Sequence, residues 1–255
     1  MKRLAAYEGF LRPLAGALLL ILLWKVVVEL RLVDPILLPT PSESWRAFWL
    51  GMTQGNLWVD FERTIVRTSL SFAIALVVAV PVGIVLGSSD KIYRTIEFPV
   101  DFFRSTPASA MFPLFLVLFG GGEATKIAVA AFGAGLAILF NVAYGVMNAR
   151  KQRQLAARVM GASRLGVLTD VTLWECLPQT FVGMRSGVSL ALVIVIVAEM
   201  FIGSTDGLGQ RILKSQMVFD MPDMYASIFA TGVLGYLLNL MFIVVERRFV
   251  HWGGK

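Results

Sequence analysis

The chain has 255 residues, of which 57% are hydrophobic and 16% charged, with a formal net charge of +6 and a mean hydropathy of +0.73. A soluble domain carries about 25% charged residues, so this chain has too little polar surface to cover a water-facing globule, and composition points to a bilayer-embedded protein. One cysteine, Cys176, excludes an internal disulfide, and one histidine, His251, has no second histidine or thiol cluster with which to make a metal site.

Six apolar stretches come near the roughly 20 residues that cross a bilayer: 14–28, 64–87, 98–119, 127–148, 182–203 and 224–245. The expected fold is an all-α polytopic membrane protein with about six transmembrane helices, one permease domain over 1–255 with its core at 64–248. Lys2 and Arg3 precede the first stretch, as in a signal peptide. No small-x-small cleavage site follows, and Lys25, Glu29 and Arg31 form the snorkelling margin of a retained helix. Segment 35–62 reads as an external loop. In it Ser42 is placed to cap a short helix whose Trp45, Phe48 and Trp49 suit a membrane interface.

In the second stretch Ser71, Ala75, Ala79, Gly83 and Gly87 recur every four residues, a stripe that lets a neighbouring backbone approach. Pro81 removes one backbone hydrogen bond there. Gly133 and Gly135, and Gly232 and Gly235, are read as packing positions in the same way. The third stretch has Arg104 in its first turns, contains Pro99, Pro107 and Pro113, and ends in Gly120-Gly121-Gly122. Proline-broken helices at membrane depth line protein or water-filled cavities, so Arg104, Pro107, Met111, Phe112 and Phe115 are candidates for a translocation pathway. Arg104 and Arg185 suit attraction of an anion, and also plain anchoring at the cytoplasmic face. Met111, Phe112 and Phe115 suit a constriction or ordinary packing.

Segment 149–180 is the longest polar stretch. Residues 150–160 read as a helix stopped by Gly161, with a second short helix starting at Ser163. A basic pair of this kind also suits anionic lipid. In the fifth stretch Glu199 is the only acid well inside a predicted span. A carboxylate in lipid is costly, so it should face a cavity or a partner, either for gating near a dimer axis or as a hydrogen-bonded structural acid.

Lys2, Arg3, Arg12, Lys91, Arg94, Arg150, Lys151, Arg153, Arg158, Arg164, Arg247, Arg248 and Lys255 fall on one side of a six-span topology, while the other side mixes bases with acids. The positive-inside rule then places both termini in the cytoplasm.

The run Leu155-Ala156-Ala157-Arg158-Val159-Met160-Gly161-Ala162-Ser163, followed by Val171-Thr172-Leu173 and Pro178, resembles the cytoplasmic EAA loop of binding-protein-dependent ABC importer permeases. Two positions depart: Leu155 stands where that pattern has glutamate, and Trp174 where it has its first proline. Leu38-Pro39-Thr40-Pro41-Ser42-Glu43, Arg104-Ser105-Thr106-Pro107, Pro113-Leu114-Phe115, Gly183-Met184-Arg185, Ala198-Glu199-Met200 and Gly207-Leu208-Gly209 look like the nitrate, sulfonate, taurine and bicarbonate branch. The resemblance implies a type I ABC importer permease architecture, in the bacterial cytoplasmic membrane. It implies a second permease copy, two ABC ATPase subunits docked inside, and a periplasmic or lipid-anchored substrate-binding protein outside. It also implies a coupling contact made by Ala156, Ala157, Arg158, Gly161, Ala162, Ser163 and Arg164.

The chain has no glycine loop ending in Gly-Lys-Ser/Thr, so ATP and magnesium are expected in the partner subunits and no cofactor or catalytic residue in this one. The net charge is accounted for by the loop bases rather than by nucleic acid. A secondary transporter would carry broken helices or ionisable residues in two corresponding halves, and a channel a selectivity ring; neither is visible. A membrane enzyme would need a His cluster, a Ser-His-Asp set or paired carboxylates, and none stands at a plausible site.

Overall fold

The computed structural model describes residues 2–250, with side chains from residue 14 onward; His251 and Lys255 lie outside the described residues. The described residues form helices and turns with no strand. In chain order they are α1 (Lys2–Glu29), α2 (Pro41–Thr53), α3 (Leu57–Gly87), α4 (Asp90–Ser105), a 3₁₀ turn (Ala108–Met111), α5 (Phe112–Phe119) and α6 (Glu123–Met147). Then come α7 (Lys151–Val159), α8 (Arg164–Val167), a π turn (Leu168–Thr172), α9 (Leu173–Phe201), α10 (Leu208–Met217) and α11 (Met221–Phe249).

Helices α3, α6 and α9 make the centre of the molecule. The five-residue stripe of α3 is buried as its spacing predicts. It meets α6 so closely that a Cβ on Gly83 would lie 2.9 Å from the Leu139 carbonyl, and one on Gly87 2.5 Å from the Ala143 carbonyl. Across the other face of α6, a Cβ on Gly187 would meet Ile138 at 2.7 Å. Small residues bring backbones together where lipid supplies no hydrophobic push between helices. Gly232 does not belong to this set: its surroundings are open within 4 Å. Gly135 makes only ordinary contact, 3.9 Å from Ala75.

Among the described residues, four segments are long and apolar enough to cross a membrane: α3, α6, α11, and the continuous run Arg164–Phe201 that ends in α9. The first predicted span lies in α1, where Leu18, Leu19, Leu20 and Leu22 are exposed as lipid-facing residues are. Trp24 fixes the far end of α1, donating to the Pro39 carbonyl at 3.1 Å and packing on the Tyr225 ring. The third predicted span is not a single helix. Its two limbs, α4 and the 3₁₀–α5 segment, meet at 93°. Pro107 forces Thr106 out of the helical region, to φ −83° and ψ 123°. Arg104 therefore sits in the last turn of α4 rather than the first turns of a span, and Lys91 and Arg94 are helical rather than in a loop.

Three boundaries also move. The N-cap of α2 is Thr40, not Ser42. The Thr40 hydroxyl accepts from the Glu43 amide at 3.2 Å and the Glu43 carboxylate accepts from the Thr40 amide at 2.8 Å, a capping box with Pro41 starting the helix. Helix α3 begins at Leu57, so Asp60, Glu62 and Arg63 of the predicted outer loop lie in its first turns. Helix α9 begins at Leu173 and carries Pro178 in its interior.

Candidate functional site

The polar hairpin between α6 and α9 is built as its sequence suggests. Helix α7 closes in a Schellman turn: the Gly161 amide donates to Arg158 O and the Ala162 amide to Ala157 O, both at 3.0 Å, with Gly161 at φ +90°. Ser163 then caps α8, its hydroxyl accepting from the Gly166 amide at 3.1 Å. The π turn leads directly into α9, so the second limb of the hairpin, from Arg164, and the span form one continuous helical run. The seven residues 156–158 and 161–164 thus share one hairpin. Ala157 faces inward, 7% exposed, while Ala156, Arg158, Gly161, Ser163 and Arg164 face out. Between them the hairpin exposes an apolar tip, with Val159 at 88%, Met160 at 81% and Leu165 at 69%. Exposed large apolar side chains at a tight turn mark an interaction surface, for a protein or a membrane.

The six pathway candidates are not brought to one place. Arg104 and Pro107 line a cavity of about 400 Å³ with Phe103, Phe140, Asn141 and Ile194. The guanidinium carbon of Arg104 lies 4.7 Å from the Phe140 ring centroid, and one of its nitrogens is 3.4 Å from the Asp101 carboxylate. Phe112 is buried against Val129, Ala130 and Val195 in the core. Phe115 lines a separate apolar cavity of about 610 Å³ between α3, α5 and α6. Met111 ends the 3₁₀ turn at the bend.

Glu199 has a partner that sequence reasoning missed. It is fully buried and accepts from Arg67 at 2.8 Å, from the Thr64 hydroxyl at 2.9 Å and from the Gly209 amide at 2.9 Å. Arg67, 4% exposed, also holds Glu123 in a two-pronged pair at 2.6 and 2.8 Å and bonds both the carbonyl and the carboxylate of Asp206. Lys126 extends the cluster, pairing with Glu123 at 2.7 Å and donating to Ser204 at 3.0 Å. Next to it Arg211 bridges Asp60 at 3.1 Å and Asp223 at 2.7 Å. One cluster therefore clamps the same end of α3, α6 and α9 to the loop before α10. The loop glycines are small for this reason. A Cβ on Gly207 would lie 2.5 Å from a Glu199 oxygen and 2.6 Å from Arg67, and one on Gly209 2.2 Å from the Ile196 carbonyl. The sequence did carry a signal: a cation in one apolar span and an acid in another are each costly alone, so they are expected to pair.

These features define a class: an all-helical integral membrane protein with a protruding polar hairpin. The chain belongs to the family of binding-protein-dependent transport system inner membrane components, whose pattern matches residues 79–252. It is thus an inner-membrane permease subunit of a binding-protein-dependent ABC importer.

The taurine transport system permease protein of Escherichia coli (strain K12) is 27% identical over 92% of this chain and 87% of its own. The putative aliphatic sulfonates transport permease protein of Bacillus subtilis (strain 168) is 26% identical over 96% and 88%. The fold is also that of an inward-facing MetNI methionine ABC transporter structure, with a TM-score of 0.69 at 22% identity over 78% of this chain and 100% of that one.

Proposed function

We propose that this permease carries a small anionic solute inward by alternating access, with its hairpin 156–164 seated in an ATPase subunit. The exposed tip of Val159, Met160 and Leu165 beside Arg158 and Arg164 carries this reading, since it fits an apolar groove with an acidic rim. In this reading two permease copies meet two ATPase subunits inside and a solute-binding protein outside. Both termini are cytoplasmic, in keeping with the one-sided distribution of Lys and Arg. Nucleotide and its magnesium stay in the partner subunits. Closure of the ATPase pair pulls on the hairpins, and because the second limb of each hairpin runs on into α9, the pull tilts that span and biases a two-state opening.

The names of the relatives, for taurine, aliphatic sulfonates and bicarbonate, support a small anion. Arg104 and Pro107 meet the solute in the 400 Å³ cavity, and Met111, Phe112 and Phe115 shape the bend above it. Glu199 acts through Arg67, holding the outer ends of three helices together, rather than by touching solute.

The test is reconstitution. The chain should co-purify with ATPase subunits encoded beside it, and uptake of taurine or an alkanesulfonate into proteoliposomes should require ATP. Uptake driven by an ion gradient with no ATPase present would overturn the proposal.

A further inference from the structure

Helix α7 carries unfavourable charges at its start. Arg150, Lys151 and Arg153 crowd its N-terminal end, its first turn holds no acid, and Arg150 at the N-cap makes no side-chain cap. The unpaired amides and positive dipole end of a helix attract an anion and repel cations, and nine residues are too few to sustain a helix in water unaided. Leu155, where the family pattern has glutamate, leaves α7 without a carboxylate of its own.

The carboxylate comes instead from α9. Glu175, in the first turn of that helix, accepts the Arg150 backbone N–H at 2.5 Å through Oε2 and pairs with Arg153 Nη1 at 2.8 Å through Oε1. Its side chain is 11% exposed, against 59% for Arg153, so the pair is partly shielded from water. Gln154 adds a second tie, donating to the Thr172 hydroxyl at 3.2 Å.

We infer that Glu175 is a positioning residue: it caps α7 and fastens the hairpin to α9, so that force at the tip moves the span instead of fraying the short helix. This rests on the reading of 156–164 as the ATPase contact. It also gives the departure at Leu155 a physical meaning. The acid needed beside α7 is supplied from across the hairpin, and position 155 is left free to expose an apolar side chain, 57% accessible.

The test uses hydrogen exchange on the full chain, alone and in complex with its ATPase, with Mg²⁺ and the non-hydrolysable analogue AMP-PNP as the probe. In the isolated chain, Glu175→Ala should speed exchange of the amides of residues 153–159 about five-fold, the size of a lost N-cap. Glu175→Gln keeps an acceptor for Arg150 and should retain most of that protection. In the complex, AMP-PNP should alter exchange in α9 of the wild type. That response should fall at least three-fold in Glu175→Ala and in Arg153→Ala while the ATPase still co-elutes. Unchanged α7 protection in Glu175→Ala overturns the inference, as does a wild-type α9 response in both variants. If the wild-type chain retains no ATPase, the proposed function fails, and exchange in the isolated chain still decides the cap.

Discussion

Replacing Arg67 by methionine keeps an unbranched apolar stem and removes the charge and donors. Three acids then lose Arg67: Glu123, which keeps Lys126, Asp206, which keeps Arg63 at 3.7 Å, and Glu199, which has no exposure and no other cation. Breaking a buried pair from one side costs about 3–5 kcal/mol, because the other charge stays behind uncompensated. Glu199 keeps the Thr64 hydroxyl and the Gly209 amide, which places the expected loss toward the lower end of that range. At about 2–4 °C per kcal/mol on the scale of soluble proteins of similar size, 3–5 kcal/mol corresponds to a fall of about 6–20 °C in the unfolding midpoint in detergent.

The chain carries its own reporter for this measurement. Cys176 is the sole cysteine and is 3% exposed, so a thiol-reactive dye labels it only on unfolding. Glu199→Gln is the control: Arg67 then keeps Glu123 and Asp206, and the expected loss is about half as large. The double variant Arg67→Met/Glu199→Leu should lose less than the two single changes summed, since contacting residues are not additive. A midpoint for Arg67→Met within about 3 °C of wild type would refute the reasoning, as would a larger loss for Glu199→Gln.

Two glycines that look alike in the sequence should behave oppositely. Gly209→Ala drives a Cβ to 2.2 Å from a backbone carbonyl and should lower the same midpoint, whereas Gly232→Ala enters open space and should leave it unchanged. Gly161→Ala meets no neighbour within 4 Å but must hold φ +90°, a strain of about 1–2 kcal/mol. Faster hydrogen exchange at the end of α7 and weaker ATP-linked uptake are expected, with Gly161→Asn milder. The hydrogen bonds that the Thr40 backbone and hydroxyl donate to Glu43 hold its carboxyl below the usual carboxylate range. Stability from this capping box is therefore complete above the ordinary carboxylate pKa and is lost as pH falls through the lowered folded value. Exchange at the start of α2 should rise over that acid range; Thr40→Ala, which keeps the backbone donor to Glu43, should only weaken the dependence, and Glu43→Ala should abolish it.

Where each element forms was largely legible along the chain. The stripe from Ser71 to Gly87 has a period set by helix geometry, and Gly161 and Ser163 end and restart a helix through local backbone chemistry. The apolar runs mark their own spans because lipid solvates them whatever they pack against. The start of α2 differs because Ser42 is a local cap candidate that the Thr40–Glu43 box outcompetes, and the start of α9 because its first turns are less apolar than the span that follows.

What the sequence by itself determined is therefore the helical, membrane-embedded class, the central packing stripe and the protruding hairpin, since each follows from spacing within one segment. Tertiary structure alone decided the rest. Arg67 with Glu199 and Glu175 with Arg150 join residues 132 and 25 positions apart, and the direction of the 93° bend at Pro107 depends on which helices lie beside it. Charges pair across space rather than along the chain, and no periodicity within a helix encodes the neighbour it will face.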